Sequence, residues 1–135
     1  MNQYPWTALV TLLALVVYAG MIVGVGQART KYKIAAPATT GDPDFERHFR
    51  VHMNTLESLP MFLPSLWLFA SHWGDALAAG IGAFWIVGRL LYWSGYVRDP
   101  KTRSLGFGIQ GLATLGLLFG ALFGVARSLI PALAG

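Results

Sequence analysis

Residues 45–70, "FERHFRVHMNTLESLPMFLPSLWLFA", decide how this chain folds. The stretch opens with Glu46, Arg47, His48, Arg50, His52, Asn54 and Glu57, then runs without a break into a nearly all-apolar segment. The wider composition explains the combination. The chain has 135 residues, 55% hydrophobic and 12% charged, with a mean hydropathy of +0.53. Soluble domains carry roughly 25% charged residues. The balance is that of a membrane protein, and the length suits one domain over residues 1–135. The quoted stretch therefore reads as a helix that starts in water and continues into a bilayer.

A bilayer-crossing helix needs about 20 mostly apolar residues. Working outward from the second span, at 51–71, the pattern gives further spans at 5–27, 76–97 and 105–129. The expected fold is an all-α integral membrane bundle of four transmembrane helices. The first span has no basic residue before it and is too long for a signal-peptide core, so it is expected to be retained. Eight of the ten Lys and Arg residues fall in the first and third connections, between 28 and 50 and between 98 and 104. The second connection and the N-terminal segment have none. The positive-inside rule makes the basic end cytoplasmic and places both termini on the other side. Short polar tails point to a bacterial inner membrane. Asp42 or Asp44 is suited to cap a helix starting near Pro43. Asp99-Pro100 pairs a capping residue with a proline fit for the first helical position, which would put Arg103 in the first turn of the fourth helix.

Polar residues inside apolar helices are costly, about 2.5–3.5 kcal/mol for a charge at mid-bilayer. Arg47, Arg50, Asn54 and Glu57 recur at helical spacing and fall within an arc of about 80°, as a stripe about 15 Å long. Arg89, Tyr92 and Tyr96 form a similar stripe on the third helix, and Glu57 is the expected counter-ion of Arg89. With Arg50 and Arg103 at the cytoplasmic ends, the stripes imply a basic, hydrogen-bonding pocket for an anionic, polar, extended ligand. The bilayer beside it would deliver an apolar second substrate. Gly116, Gly120 and Gly124, and likewise Gly20 and Gly24, have the spacing of closely packed membrane helices and point to an oligomer.

The absence of cysteine excludes disulfides, thiolate metal sites and a cysteine nucleophile. The histidines at 48, 52 and 72 are read as no metal site. A polar stripe that reaches only partway argues against transport. Basic groups set against the membrane face argue against nucleic-acid binding.

The segments "PATTGDPDFERHFRVHMNTLESLPMFLPSLW" and "GRLLYWSGYVRDPKTR", at their spacing in this chain, carry a resemblance. The chain resembles the MAPEG family, membrane-associated proteins of eicosanoid and glutathione metabolism, most closely its leukotriene-synthase and microsomal glutathione-transferase branches. The resemblance implies a four-helix subunit in a homotrimer, with bent glutathione bound between neighbouring subunits. Carried over by position, Arg29, Arg50, His52, Asn54, Glu57, Tyr92, Tyr96 and Arg103 align with glutathione contacts. Arg50 would hold a carboxylate, Asn54 and Glu57 the peptide's polar groups, and Tyr92 and Tyr96 would add hydroxyl bonds. Arg103 aligns with the arginine that stabilises the thiolate. The pattern departs from the synthase at Thr30, His52, Ser58 and Leu115, which puts leukotriene specificity in doubt.

The expected function is a membrane glutathione S-transferase, with glutathione as co-substrate, no metal, and a lipophilic electrophile or lipid hydroperoxide as the second substrate. Alternatives within the family are a non-catalytic lipid-binding scaffold and a glutathione-dependent isomerase.

Overall fold

Asp42 opens the helix that carries the polar stripe. Its carboxylate accepts the backbone N–H groups of Asp44 at 2.9 Å and Phe45 at 3.2 Å. Pro43 occupies the first helical position, where a missing N–H costs nothing. Of the two acids expected to cap, Asp42 does so, and Asp44 lies in the first turn. The computed structural model describes residues 3–135. In chain order the elements are α1 (Pro5–Tyr32), α2 (Pro43–Trp73), α3 (Asp75–Arg98), a short 3-10 turn (Pro100–Thr102) and α4 (Ser104–Ala134). All four expected helices form, each longer than its apolar core. At 1.5 Å per residue the 31 residues of α2 extend about 46 Å.

Three segments, Pro5–Tyr32, Asp75–Arg98 and Pro100–Ala134, are long and apolar enough to cross a membrane. The α2 helix matches them in length, but Asp44, Glu46, Arg47, Arg50 and Glu57 load its first half with charge. The helices α2 and α3 form a central pair, with α1 packed on one side of it and α4 on the other.

The connection is tight at the end of the bundle opposite the two basic loops, where Arg127 lies 5.6 Å from the Trp73 ring centroid. Gly74, at φ 102°, turns α2 into α3. Asp75 then caps a helix other than its own. Its carboxylate accepts Trp6 N–H at 3.1 Å and Thr7 N–H at 2.7 Å, two of the orphan donors at the start of α1. This fixes the N-terminus of α1 beside the α2–α3 turn. Asp75→Ala is expected to destabilise the fold, because two donors at the start of α1 lose their acceptor. Thermal unfolding in detergent should shift down, and amide exchange at Trp6 and Thr7 should rise. Unchanged exchange at those two amides would rule the clamp out.

The core runs between the central pair and its flanks. Phe62 of α2 stacks on Trp85 of α3, with centroids 4.1 Å apart and planes 4° from parallel. Both are fully buried, as are Leu66 and Leu117. At Gly88 and Gly106, α3 and α4 meet backbone to backbone. A Cβ on Gly88 would lie 2.6 Å from Gln110 N and 2.9 Å from Gly106 O. The glycine series singled out in sequence divides. Gly120 and Gly124 pack on Phe69 and His72 of α2, whereas Gly116 faces open space. The outer surface is apolar, with Leu12, Phe84, Leu112, Phe119 and Leu122 all exposed.

Candidate functional site

The α3–α4 connection places Arg103. Asp99 accepts Lys101 N–H at 3.0 Å and thereby caps the 3-10 turn, not α4 itself. Thr102 Oγ1 donates to Gly95 O at 2.8 Å, folding the turn onto the end of α3. Gly95 permits this approach, since a Cβ there would lie 2.9 Å from Thr102 O. Arg103 therefore occupies the N-cap position of α4, one residue short of the first turn expected from sequence. The Asp99-Pro100 pair spends its capping capacity on the 3-10 turn, and the α-helix starts only after it. No side chain caps α4, so its positive end stays open beside the Arg103 guanidinium.

A cavity of about 610 Å³ opens there. Arg50 and Asn54 line it from α2, Tyr92 and Tyr96 from α3, and Arg103, Ser104, Phe107 and Gly108 from the α4 side. The Arg103 Cζ lies 5.6 Å from the Tyr96 ring centroid, and the Tyr92 and Tyr96 rings are 5.6 Å apart. Two guanidinium groups, one amide, two phenols and a helix N-terminus thus converge on one space. Such a set recognises an anion with several acceptors.

Two further cavities continue along the groove between α2 and α4. The nearer, about 280 Å³, is bounded by Asn54, Glu57, Ser58, Arg89, Gln110 and Thr114, among others. The farther, about 390 Å³, is walled almost wholly by apolar side chains, including Met61, Leu68, Leu118 and Leu122. The groove grades from cationic to apolar.

Five of the eight site residues singled out in sequence, Arg50, Asn54, Tyr92, Tyr96 and Arg103, line the first cavity. Glu57 is exposed and lines the adjoining ones. Arg29 and His52 line none of these. Arg29 donates to Ala38 O at 2.7 Å and lies over the Phe45 ring at 4.9 Å, which ties down the α1–α2 loop. His52 stacks on Tyr18 of α1 and meets Phe49 edge-on.

The expected ion pair between Arg89 and Glu57 does not form. Arg89 is fully buried and donates through Nη1 to Asn54 Oδ1 at 2.7 Å and Thr55 Oγ1 at 3.3 Å. Its Cζ lies 5.0 Å from the Tyr92 ring centroid and 5.7 Å from that of Trp85. The crossing of α2 and α3 directs the stripe's Asn54 at the cation and leaves Glu57 about 60° further round, facing the groove. Among the described residues the one ion pair is Arg47–Asp44, at 3.4 Å. No group of three His, Asp or Glu side chains converges as a metal site among the described residues. Sequence reasoning missed the Arg89–Asn54 bond and the parts of Ser104 and Phe107. The one signal was Arg89's depth in an apolar helix.

The chain belongs to the MAPEG family, whose profile matches residues 7–123. It is 39% identical to human microsomal glutathione S-transferase 2 over 124 residues, which cover 91% of this chain and 84% of that protein. It is 36% identical to rat leukotriene C4 synthase over 130 residues, covering 90% and 86%. An uncharacterised protein of Synechocystis is 47% identical over 124 residues, covering 92% and 90%. With its family and its three apolar helices, this is an all-α integral membrane protein.

Proposed function

We propose that this protein is a membrane glutathione S-transferase. The observation that carries the reading is the convergence of Arg50, Asn54, Tyr92, Tyr96 and Arg103 on one cavity beside an apolar groove. Glutathione is an anionic tripeptide with two carboxylates, an ammonium and a thiol. Arg50 suits a carboxylate, for which the guanidinium fork is built. Asn54 and the two phenols suit the peptide groups, and Glu57 at the cavity's edge suits the ammonium. Arg103, at the open positive end of α4, takes the sulfur. A free thiol has a pKa of about 8.5. A fixed cation and a helix N-terminus both favour its anion.

The chemistry then needs no protein nucleophile. The thiol gives its proton to water. The thiolate attacks an electrophilic carbon, a carbon–sulfur bond forms, and the leaving group departs with its electron pair. A lipid hydroperoxide would react through its terminal oxygen. The O–O bond breaks, the alkoxide gains a proton, and a second glutathione completes the disulfide with release of water. The apolar cavity along α2 and α4 supports a lipophilic second substrate.

Assembly as a homotrimer belongs to this reading. Arg29 and His52 align with glutathione contacts yet lie off the cavity of their own subunit, which a site shared between neighbours would account for. The charge bias supports a cytoplasmic basic end with both termini opposite, and a bacterial inner membrane belongs to the same proposal.

The test is conjugation of glutathione to a chlorinated nitrobenzene by the purified protein in detergent, with lipid hydroperoxides and an endoperoxide in parallel. Turnover of the electrophile is expected. Absence of glutathione binding at millimolar concentration would overturn the reading in favour of a non-catalytic lipid-binding member.

A further inference from the structure

Arg89 is the deepest cation in the bundle and makes no ion pair. A buried charge is expensive unless its donors are taken up. The hydrogen bonds of Arg89 show what it holds in place. A guanidinium carries only donors, so the atom of Asn54 that faces it must be the carbonyl oxygen. Nη1 meets Asn54 Oδ1 at 2.7 Å. The amide cannot flip without setting two donors against each other. The Asn54 NH₂ is therefore left for the other side, where Asn54 lines the cavity with Arg50 and Tyr92. Among the described residues no acceptor engages that nitrogen. The neighbouring Thr55 is held as well: its hydroxyl donates to Val51 O at 3.0 Å and accepts from Arg89 at 3.3 Å.

We infer that Arg89 is a positioning residue that locks the Asn54 amide with its nitrogen toward the cavity. The site thereby presents a donor at this point and selects a ligand with a carbonyl or carboxylate oxygen there. This rests on the reading of the cavity as a glutathione site. Arg89 does not line the cavity between Arg50 and Arg103, and acts there through Asn54. Arg103, the proposed thiolate partner, belongs to a different wall, so binding and thiolate formation should separate.

The experiment measures glutathione binding by calorimetry, and KM and kcat for conjugation, in wild type, Arg89→Met, Asn54→Ala, Asn54→Asp and the Arg89→Met/Asn54→Ala double variant. Methionine keeps much of the packing volume and removes the charge. Arg89→Met should raise the glutathione Kd and KM about tenfold, the worth of one good hydrogen bond to a charged group, with kcat at saturation kept within a factor of about two. The double variant should bind no more weakly than Asn54→Ala alone, since both changes remove one device. Asn54→Asp places a carboxylate against Arg89 and removes the donor. It should unfold at no lower temperature than wild type while losing glutathione affinity. A rise in KM with kcat kept in Arg89→Met, with no further loss in the double variant, is the outcome that a purely structural Arg89 would not give. Unchanged glutathione affinity in Arg89→Met, additive losses in the double variant, or full affinity in Asn54→Asp would each overturn the inference. If Arg89→Met does not fold, Arg89→Gln takes its place, because its amide can donate to or accept from Asn54 and so releases the orientation: the same loss of affinity, about tenfold, is expected, and unchanged affinity would overturn the inference. Wild type that fails to bind glutathione overturns the functional reading itself, a separate result.

Discussion

Arg103→Ala is expected to leave glutathione bound but largely protonated. Arg103 stands alone at the uncapped start of α4, exposed to the cavity and stacked over the Tyr96 ring. A cation within about 4–6 Å of an ionising group shifts its pKa by roughly 1–3 units. Removing it should raise the pKa of bound glutathione's thiol by that amount. The sign follows from which form the charge favours. In the proposed role Arg103 favours the thiolate, so its loss should move titration to higher pH, and the thiolate fraction at neutral pH should fall by about eightfold or more. The conjugation rate should fall in parallel and recover partly as pH rises. Ultraviolet difference absorbance of the thiolate, followed against pH in wild type and variant, reads this directly. Arg50 remains to hold a carboxylate, so affinity should change far less than ionisation. A variant with an unshifted thiol titration would remove Arg103 from the chemistry.

The second large effect concerns the frame that holds Arg103. A Cβ on Gly106 would fall on the backbone nitrogen of Tyr92 and on Gly88 O. Neither atom can rotate aside, so even alanine must push the start of α4 away from α3. Forced overpacking of this kind costs about 1–3 kcal/mol. The displacement would carry Arg103, Ser104 and Phe107 away from Tyr92 and Tyr96 and open the cavity. Gly106→Ala should therefore lose thermal stability and glutathione affinity together. Gly116→Ala is the matched control, because a Cβ there meets nothing within 4 Å. In a helix interior that exchange should be neutral or stabilising by about 0.5–1 kcal/mol. Equal melting temperatures for the two variants would mean that the α3–α4 contact yields more easily than its geometry implies.

Much of the site could be read directly from the sequence, because helical periodicity places residues on faces. Arg50 and Asn54 lie one turn apart on α2, as Tyr92 and Tyr96 do on α3, and all four reach one cavity. The capping chemistry of Asp42 was equally local and equally legible. The misreadings share one origin. Glu57 was chosen as partner for Arg89 by charge, and the structure gives that place to the neutral Asn54. Gly116 was grouped with Gly120 and Gly124 by spacing, and within the subunit only Gly120 and Gly124 pack on α2. Meanwhile Gly88 and Gly106 make the closest approach without belonging to any spaced series. Each depends on how one helix is rotated and inclined against another, which periodicity within a helix does not contain.

The sequence by itself determined the four helices, the basic end of the bundle, and the residues that could form a cationic pocket for an anion. Hydrophobic spacing, caps and charge bias are properties of single segments, so they need no partner to be read. Only the tertiary structure decided which stripe residue meets Arg89, where Arg103 stands relative to α4, and that Arg29 and His52 lie off the cavity. Those outcomes are set by close packing between helices, where one Cβ more or less fixes the crossing and the crossing fixes which polar atoms meet.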